Sequence, residues 1–424
     1  MNDMKKCLFV MLMLLPMTVS AYDVEIDGIY YNIYSGTASV TAGDEKYTGE
    51  IIIPSEISYE GTKCIVLSIE QSAFLLCTGL TSVSIPSSVI SIENRAFSGC
   101  SKLNNVILEE GLERIGKYGF TNCMSLTNIS IPNTVISLGE SAFEGCISLT
   151  SVSLSSGLTR IDNGIFKGCE KLAAISIPTS VTYIGDSSFS GCKSLTSVNL
   201  PDEIGGIGSR AFNGCSGLSS IVIPNSVTMI GSYAFASCGL SNITLGNSIE
   251  TIGDRAFFQS TLDNVYCYAE VVPFASSTSF NNISVTTLHV PSKVINDYKT
   301  TQPWSNFNDI VALEGGELIK CATPTIAYSN GRLIFTCDTE GAECVATITD
   351  ADIKTHYGNE IPLTMTYTVS VYATKEGYKN SDVVTKVINI AGAGGSGMHG
   401  DVNGDGVVDA ADVVKVTNII MGKN

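Results

Sequence analysis

Charge is scarce in this chain: Asp, Glu, Lys and Arg make up 15% of its 424 residues, and 24 Lys and Arg face 41 Asp and Glu. A net charge of −17 carried on so few cations argues against nucleic acid or an anionic membrane as a partner, since both need clustered Lys and Arg. The acidity is spread among Ser, Thr, Asn and Gly, which describes a solvated surface and no focused field. Histidine is also rare. His289, His356 and His399 fall in three separate segments, so each is read as a solvated or structural residue and not as a ligand. Neither a Gly-rich phosphate loop nor a nucleophile elbow stands out. The longest apolar run near the start, Cys7 to Val19, has thirteen residues, too few to span a bilayer, and no later stretch is a candidate.

What the sequence does hold is repetition. Phenylalanine recurs every 23 residues at Phe74, Phe97, Phe120, Phe143, Phe166, Phe189, Phe212 and Phe235, each followed three residues later by cysteine. A ninth unit ends at Phe257, one residue short, because Leu240 comes two positions after Cys238 where other units have three. A period between 20 and 29 residues with leucine-like positions at fixed offsets marks a solenoid whose turns bury their apolar sides only by stacking. Leu80, Val83 and Ile85, closed by Pro86, predict a short strand with Val83 and Ile85 inward and Ser82 and Ser84 outward. The next apolar pair, such as Val89 with Ile92, lines a turn, and Ala-Phe-x-Gly-Cys returns the chain through a short helical arc. Strands of adjacent turns then pair in parallel.

The recurring form Ile-Gly-x-x-Ala-Phe-x-Gly-Cys-x-x-Leu-x-x-Val-x-Ile-Pro, seen at Ile184 to Phe189 with Gly191-Cys192, Leu195, Val198 and Leu200, or at Ile230-Gly231, Ala234-Phe235 and Cys238, resembles the BspA-like leucine-rich repeats of secreted and surface proteins. The resemblance spans roughly Asp23 to Leu313 with both caps. It implies a leucine-rich-repeat solenoid, a parallel β-sheet with short helical or irregular arcs, acting as a binding or adhesive scaffold for a protein or glycan. It names no ligand.

Eight of the fourteen cysteines, Cys77, Cys100, Cys123, Cys146, Cys169, Cys192, Cys215 and Cys238, share one repeat position. A column of small apolar thiols buried under the sheet is the favoured reading, against a metal or disulfide ladder, because nothing with metal-ligand spacing recurs beside it. Cys337 and Cys344 flank Thr339, Glu340 and Gly341 as in a hairpin, which leaves a cross-strand disulfide open. Cys64, Cys267 and Cys321 have no evident partners.

The flanks divide further. Residues 1–21 read as an export signal: Lys5 and Lys6 precede the apolar run, and Val19-Ser20-Ala21 suits cleavage near Ala21. Losing Asp3, Lys5 and Lys6 removes one negative and two positive charges, taking −17 to −18. Cys7 precedes the apolar run, against a lipid anchor. The expected localisation is secreted, extracellular or cell-surface. Residues 22–69 should cap the open end of the stack, 70–258 hold the repeats, and 259–315 close it with Tyr298, Trp304, Phe307 and Ile310. From 321 to 390 short alternating strands suggest a small β-sandwich, and Tyr367 to Tyr378 is similar to the immunoglobulin-like accessory module of β-hexosaminidases.

A Gly-rich linker at 391–399 leads to 400–424, which holds the sharpest chemical motif. Asp401, Asn403, Asp405, Asp409 and Asp412 place oxygens at loop positions 1, 3, 5, 9 and 12, Gly406 sits at the sharp turn, and the Val407 carbonyl is at position 7. Calcium, a hard cation taking six to eight oxygens, suits such a set; a solvated acidic turn is the alternative. Asp412 in place of Glu, and no helix before the loop, depart from the EF-hand form. Both departures resemble a dockerin calcium repeat, with 411–421 as the following helix, although a complete dockerin has two loops. Val413, Val416, Ile419 and Ile420 would give that helix an apolar stripe to dock on the preceding domain, dimerise, or meet a cohesin-like protein.

An enzyme tagged by such a module would need paired carboxylates in a cleft. The outward columns are Ser84, Ile107, Ser130, Ser153, Ser176, Asn199, Val222 and Thr244 beside Ser82, Asn105, Asn128, Ser151, Ala174, Ser197, Ser220 and Asn242. They hold no carboxylate, histidine or cation, and no catalytic residue is assigned. The leading expectation is a non-enzymatic binding scaffold. The alternative is a component of an extracellular polysaccharide-degrading assembly, recruited through calcium to a cohesin-like partner.

Overall fold

Three ladders of hydrogen bonds run along the turns, the first in four segments and the second in two. The computed structural model describes residues 22–281, 283, 287–313, 320–329, 332–339, 341–350, 364–374 and 380–391. The expected export signal, most of the linker and the calcium module lie outside the described residues, as do His356 and His399.

The first ladder is the predicted strand. Gly79–Ile85 pairs in parallel with Asn105–Leu108, matching Ser82 with Asn105, Val83 with Val106 and Ser84 with Ile107. The same 23-residue register recurs at Asn128–Ser130 with Ser151–Ser153 and at Ala174–Ser176 with Ser197–Asn199. Between Ser220–Ile223 and Asn242–Leu245 it becomes 22, with Ser220 opposite Asn242. The missing residue is thus removed in the arc between Cys238 and Leu240, and the ladder stays in step.

The second ladder lies where the sequence predicts only a turn. Ser91–Ile92, Arg114–Ile115 and Ser137–Leu138 pair in parallel, as do Tyr183–Ile184, Gly206–Ile207, Met229–Ile230, Thr251–Ile252 and Phe274–Ala275. Two residues per strand are too short to show a period of two in sequence. The third ladder runs through the arcs: Phe97 N–H donates to the Gly119 carbonyl at 2.8 Å and Phe120 N–H to the Ala142 carbonyl at 2.7 Å. Glycine after the second-ladder strand permits close stacking of the turns, because a Cβ on Gly139, which follows Leu138, would lie 2.4 Å from the Lys117 nitrogen.

Inside the turns the phenylalanines form one stack, with successive centroids from 4.6 to 5.7 Å apart and rings within 18° of parallel. The stack reaches Phe280, which keeps the 23-residue spacing from Phe257, and at the other end Tyr47 lies 4.3 Å from Phe74. Beside it the eight repeat cysteines are buried and unbridged. Each thiol from Cys100 on donates to the phenylalanine carbonyl of an earlier turn, for example Cys146 Sγ to Phe120 O at 3.2 Å and Cys238 Sγ to Phe212 O at 3.0 Å. Ser260 takes the next place, its Oγ 2.7 Å from Phe235 O.

Both ends of the stack are built over. Antiparallel strands Val24–Ile26, Ile29–Tyr34 and Thr37–Val40 lead into Thr62–Ile69, while Thr48–Ile52 pairs in parallel with Gly79–Ile85 as an extra turn. Glu70 collects Asn32, Tyr34 and Ser39 at 2.6–3.1 Å. At the far end the first ladder continues through Asn264–Cys267, Thr287–Val290 and Asp309–Ala312, beyond the 70–258 span the sequence pattern marks. Trp304 is buried there, its indole N–H 2.8 Å from the Pro273 carbonyl.

The carboxy-terminal strands form two small sheets. Thr325–Ser329 pairs with Arg332–Thr336, and Glu343–Asp350, Thr364–Thr374 and Val384–Ala391 form an antiparallel three-stranded sheet. Ile326, Val369, Val371 and Ile388 make a core between them. This corrects the hairpin expected around Cys337 and Cys344, because the strands they follow and begin belong to different sheets. Both stand as free thiols, with Cys337 Sγ 3.1 Å from the Ala322 carbonyl.

Candidate ligand-binding faces

The outward columns run along the first ladder as the alternation requires, and they are not uniformly open. Glu343–Asp350 packs against the strands Asn128–Ser130, Ser151–Ser153 and Ala174–Ser176. Tyr372 is buried with its hydroxyl facing Ser197, and Asn199 is 5% exposed. The Ser176 hydroxyl is buried with no hydrogen-bond partner among the described residues. The chain's own carboxy-terminal strands therefore cover the middle of the face that the sequence presents as bare, a contact between segments far apart in sequence that no local pattern encodes.

A cleft of about 200 Å³ lies at the edge of this contact, lined on one side by Asn199, Asp202 and Glu203 and on the other by Asn380, Ser381 and Asp382. Lys320 bridges it, 3.4 Å from Asp202 and 2.6 Å from Asp382. Partial burial pulls the Lys320 pKa down, but the two carboxylates outweigh it and hold the ammonium above its usual range.

Beyond the covered stretch the face opens and changes character. Asn242 stands opposite Asn264 and Asn264 opposite Thr287, while Thr244 stands opposite Tyr266 and Tyr266 opposite His289. Asn264 Nδ2 donates to Asn242 Oδ1 at 2.9 Å, His289 Nε2 lies 3.2 Å from Asn264 Oδ1, and the imidazole stacks on the Tyr266 ring at 4.4 Å. Asp309 follows in register with Thr287. The columns hence gain a histidine and a carboxylate past Thr244, where the sequence template fades. The 23-residue spacing of Phe280 from Phe257 was the signal that could have located them. Among the described residues no group of three His, Cys, Asp or Glu is placed to hold a metal, and no helix is long and apolar enough to cross a membrane. The expected calcium ligands Asp401, Asn403, Asp405, Val407, Asp409 and Asp412 lie outside the described residues.

The thiol column has no chemistry to offer a ligand. Burial pushes Cys100, Cys146, Cys192 and Cys238 up to about 12, so near neutral pH they remain protonated packing groups.

Several solved structures similar to this chain are leucine-rich-repeat proteins. A leucine-rich-repeat protein of T. pallidum shares 32% identity over 46% of this chain and 90% of its own, with a TM-score of 0.43. One from Bacteroides ovatus shares 26% over 69% and 100%, with a TM-score of 0.35. The pneumococcal vaccine antigen PcpA shares 20% over 69% and 98%, with a TM-score of 0.43. No curated protein shows a significant match. The sequence pattern of the BspA type leucine rich repeat region matches six copies over residues 67–196 and 182–300, more than half of the 424 residues, and the chain belongs to that family.

Proposed function

We propose that this protein is a non-enzymatic binding scaffold, secreted or displayed at a cell surface, that recognises a protein or glycan with the open, carboxy-terminal part of its first ladder. The observation that carries this reading is the row Asn242, Asn264 and His289, whose hydrogen bonds and the Tyr266 stack fix polar groups in one direction before any ligand arrives. Family membership supports it, since a solenoid offers an extended surface and no enclosed cleft. A survey of glycans and extracellular proteins with the mature chain should return a ligand whose affinity falls about tenfold or more in Asn264→Ala, the loss of one or two well-placed hydrogen bonds. Ligands that bind the variant as tightly would move the site elsewhere, and an empty survey would remove the reading.

The carboxy-terminal segments fit a second, compatible role. The strands of 321–390 serve as an accessory β-sandwich, and Asp401, Asn403, Asp405, Asp409 and Asp412 with the Val407 carbonyl bind calcium. Docking of that module to a cohesin-like protein would place the scaffold in a polysaccharide-degrading assembly. Calorimetry on the mature chain should show calcium uptake that Asp401→Ala/Asp405→Ala abolishes, and a partner captured only with calcium would establish the assembly role.

A further inference from the structure

Exposed arginines that make no ion pair among the described residues collect on one repeat position. Arg95, Arg210 and Arg255 each stand two residues before a core phenylalanine, and Tyr118 and Tyr233 hold that position in the turns that follow Arg95 and Arg210. The Arg95 guanidinium lies 5.4 Å from the Tyr118 ring centroid and the Arg210 guanidinium 5.1 Å from that of Tyr233. Arg255 approaches the same Tyr233 ring at 5.7 Å from the following turn, donates to its hydroxyl, and lies 5.8 Å from Phe258. Tyr233 thus holds two guanidinium groups, one from the turn on either side, a cation–π arrangement that orients both.

The backbone holds these side chains out. Arg95, Tyr118, Arg210, Tyr233 and Arg255 have φ of 58°, 59°, 57°, 57° and 50°, the left-handed region that glycine enters without steric cost. Gly164 fills the equivalent place in its own turn. The conformation is imposed by the arc ladder, in which Arg210 N–H reaches the Ser232 carbonyl at 2.8 Å and Tyr233 N–H the Asp254 carbonyl at 2.9 Å. All three arginines are exposed.

Their charge is not spent inside the protein. Arg114 pairs with Glu93 and Arg160 with Asp162, whereas Arg95, Arg210 and Arg255 make no ion pair among the described residues. Asp254 adjoins Arg255 and accepts from the Thr278 hydroxyl, and Asp186 accepts the Ser209 N–H at 2.7 Å.

We propose that the arc column centred on Arg210, Tyr233 and Arg255 is a binding site for an anionic polysaccharide, one bearing sulfate or carboxylate groups, distinct from the first-ladder face. Guanidinium forks take sulfate or carboxylate oxygens in pairs, and stacking on Tyr233 lowers the entropy lost on binding. Around the column Ser187, Ser209, Asn213 and Ser232 offer hydroxyls and an amide, which suit a sugar chain. They lack the buried apolar anchors on which protein interfaces depend.

The test is calorimetry of the mature full chain with dextran sulfate, neutral dextran and poly-glutamate at low salt. Dextran sulfate should bind, neutral dextran should not, and added salt should weaken the complex through screening. Arg210→Ala/Arg255→Ala should lower the affinity at least about tenfold, one charged hydrogen bond's worth or more, with an unchanged unfolding midpoint. Tyr233→Ala, which keeps the charge, should weaken binding by removing the platform. Equal affinity in the double variant, no binding of dextran sulfate, or poly-glutamate bound as tightly as dextran sulfate would each overturn the proposal, the last by assigning the column to acidic peptide.

Discussion

Phe280 lies parallel to Phe257 with 5.3 Å between ring centroids, in a segment whose sequence predicts only a cap. Its far side meets Trp304 and Phe307 at 5.1 and 5.0 Å in tilted and edge contacts, where parallel stacking ends. Phe166→Ala, in the middle of the stack, should cost about 3–5 kcal/mol, the usual loss for truncating a buried phenylalanine. Phe280→Ala should cost less and act locally, loosening the carboxy-terminal turns while leaving the amino-terminal ones protected. Hydrogen exchange along the solenoid separates these outcomes; uniform deprotection by both variants would show that the turns unfold as one unit.

The cysteine column gives the protein an alkaline weakness. Burial raises Cys146 and Cys192 to about 12 from an ordinary 9.0 and holds Cys123 and Cys169 well above it. Between these values the unfolded chain releases protons that the folded chain retains, so stability is complete below pH 9 and falls as pH rises toward 12. Urea midpoints at pH 7, 9, 10 and 11 should decline accordingly. Cys146→Ser should fold, because Ser260 already occupies that place with a hydrogen bond to Phe235, and it should flatten the decline by removing one titrating group. An unchanged slope would mean that other groups, such as the buried tyrosines, set the alkaline limit.

What was legible in the sequence follows from the range of the interactions. The Phe and Cys positions repeat because each meets its own copy in the next turn, so one local pattern written many times describes both columns. Gly139 and its equivalents repeat for the same reason, since a Cβ there would strike the previous turn. The second ladder escaped because Ser91–Ile92 and its counterparts are two residues long. The contact of Tyr372 with Ser197 escaped because it joins segments 175 residues apart, from Ser197 to Tyr372, with unrelated patterns. The Arg and Tyr of the arc were visible as letters, yet only the shared left-handed position brings them into one column.

The amino-terminal cap should loosen in acid. Burial works to raise the Glu70 pKa, but hydrogen bonds from Ser39, Thr41, Asn32 and Tyr34 outweigh it and hold the carboxyl below its ordinary 4.5. A depressed pKa contributes stability above 4.5 and loses it as pH falls through the folded value. Exchange in Thr37–Val40 and Thr62–Ile69 should therefore rise below about pH 4.5 before the central turns respond. Glu70→Gln should show raised exchange already at pH 7 and little further acid dependence. A variant that keeps the wild-type acid profile would place the responsible carboxyl elsewhere.

The carboxy-terminal strands should act as a removable cover on the first ladder. Tyr372 is the largest buried side chain at that contact, and the Ser176 hydroxyl beneath it lacks a partner among the described residues. Tyr372→Ala removes an aromatic from a site that already leaves a polar group dry. It should cost about 3–5 kcal/mol of local stability, as for other buried aromatics. The Lys320 bridge to Asp202 and Asp382 is partly exposed and adds little, so Lys320→Ala alone should leave the cover in place. In Tyr372→Ala the amides of Ser151–Ser153 and Ala174–Ser176 should gain solvent access while the phenylalanine stack stays intact. Ligands of the open Asn242 to His289 row should bind wild type and variant alike, whereas any ligand whose affinity rises in the variant uses the covered Ser153, Ser176 and Asn199 stretch. Protection unchanged at Ser151–Ser153 would mean that the strands of the first ladder are shielded by their own pairing and that the cover contributes nothing there.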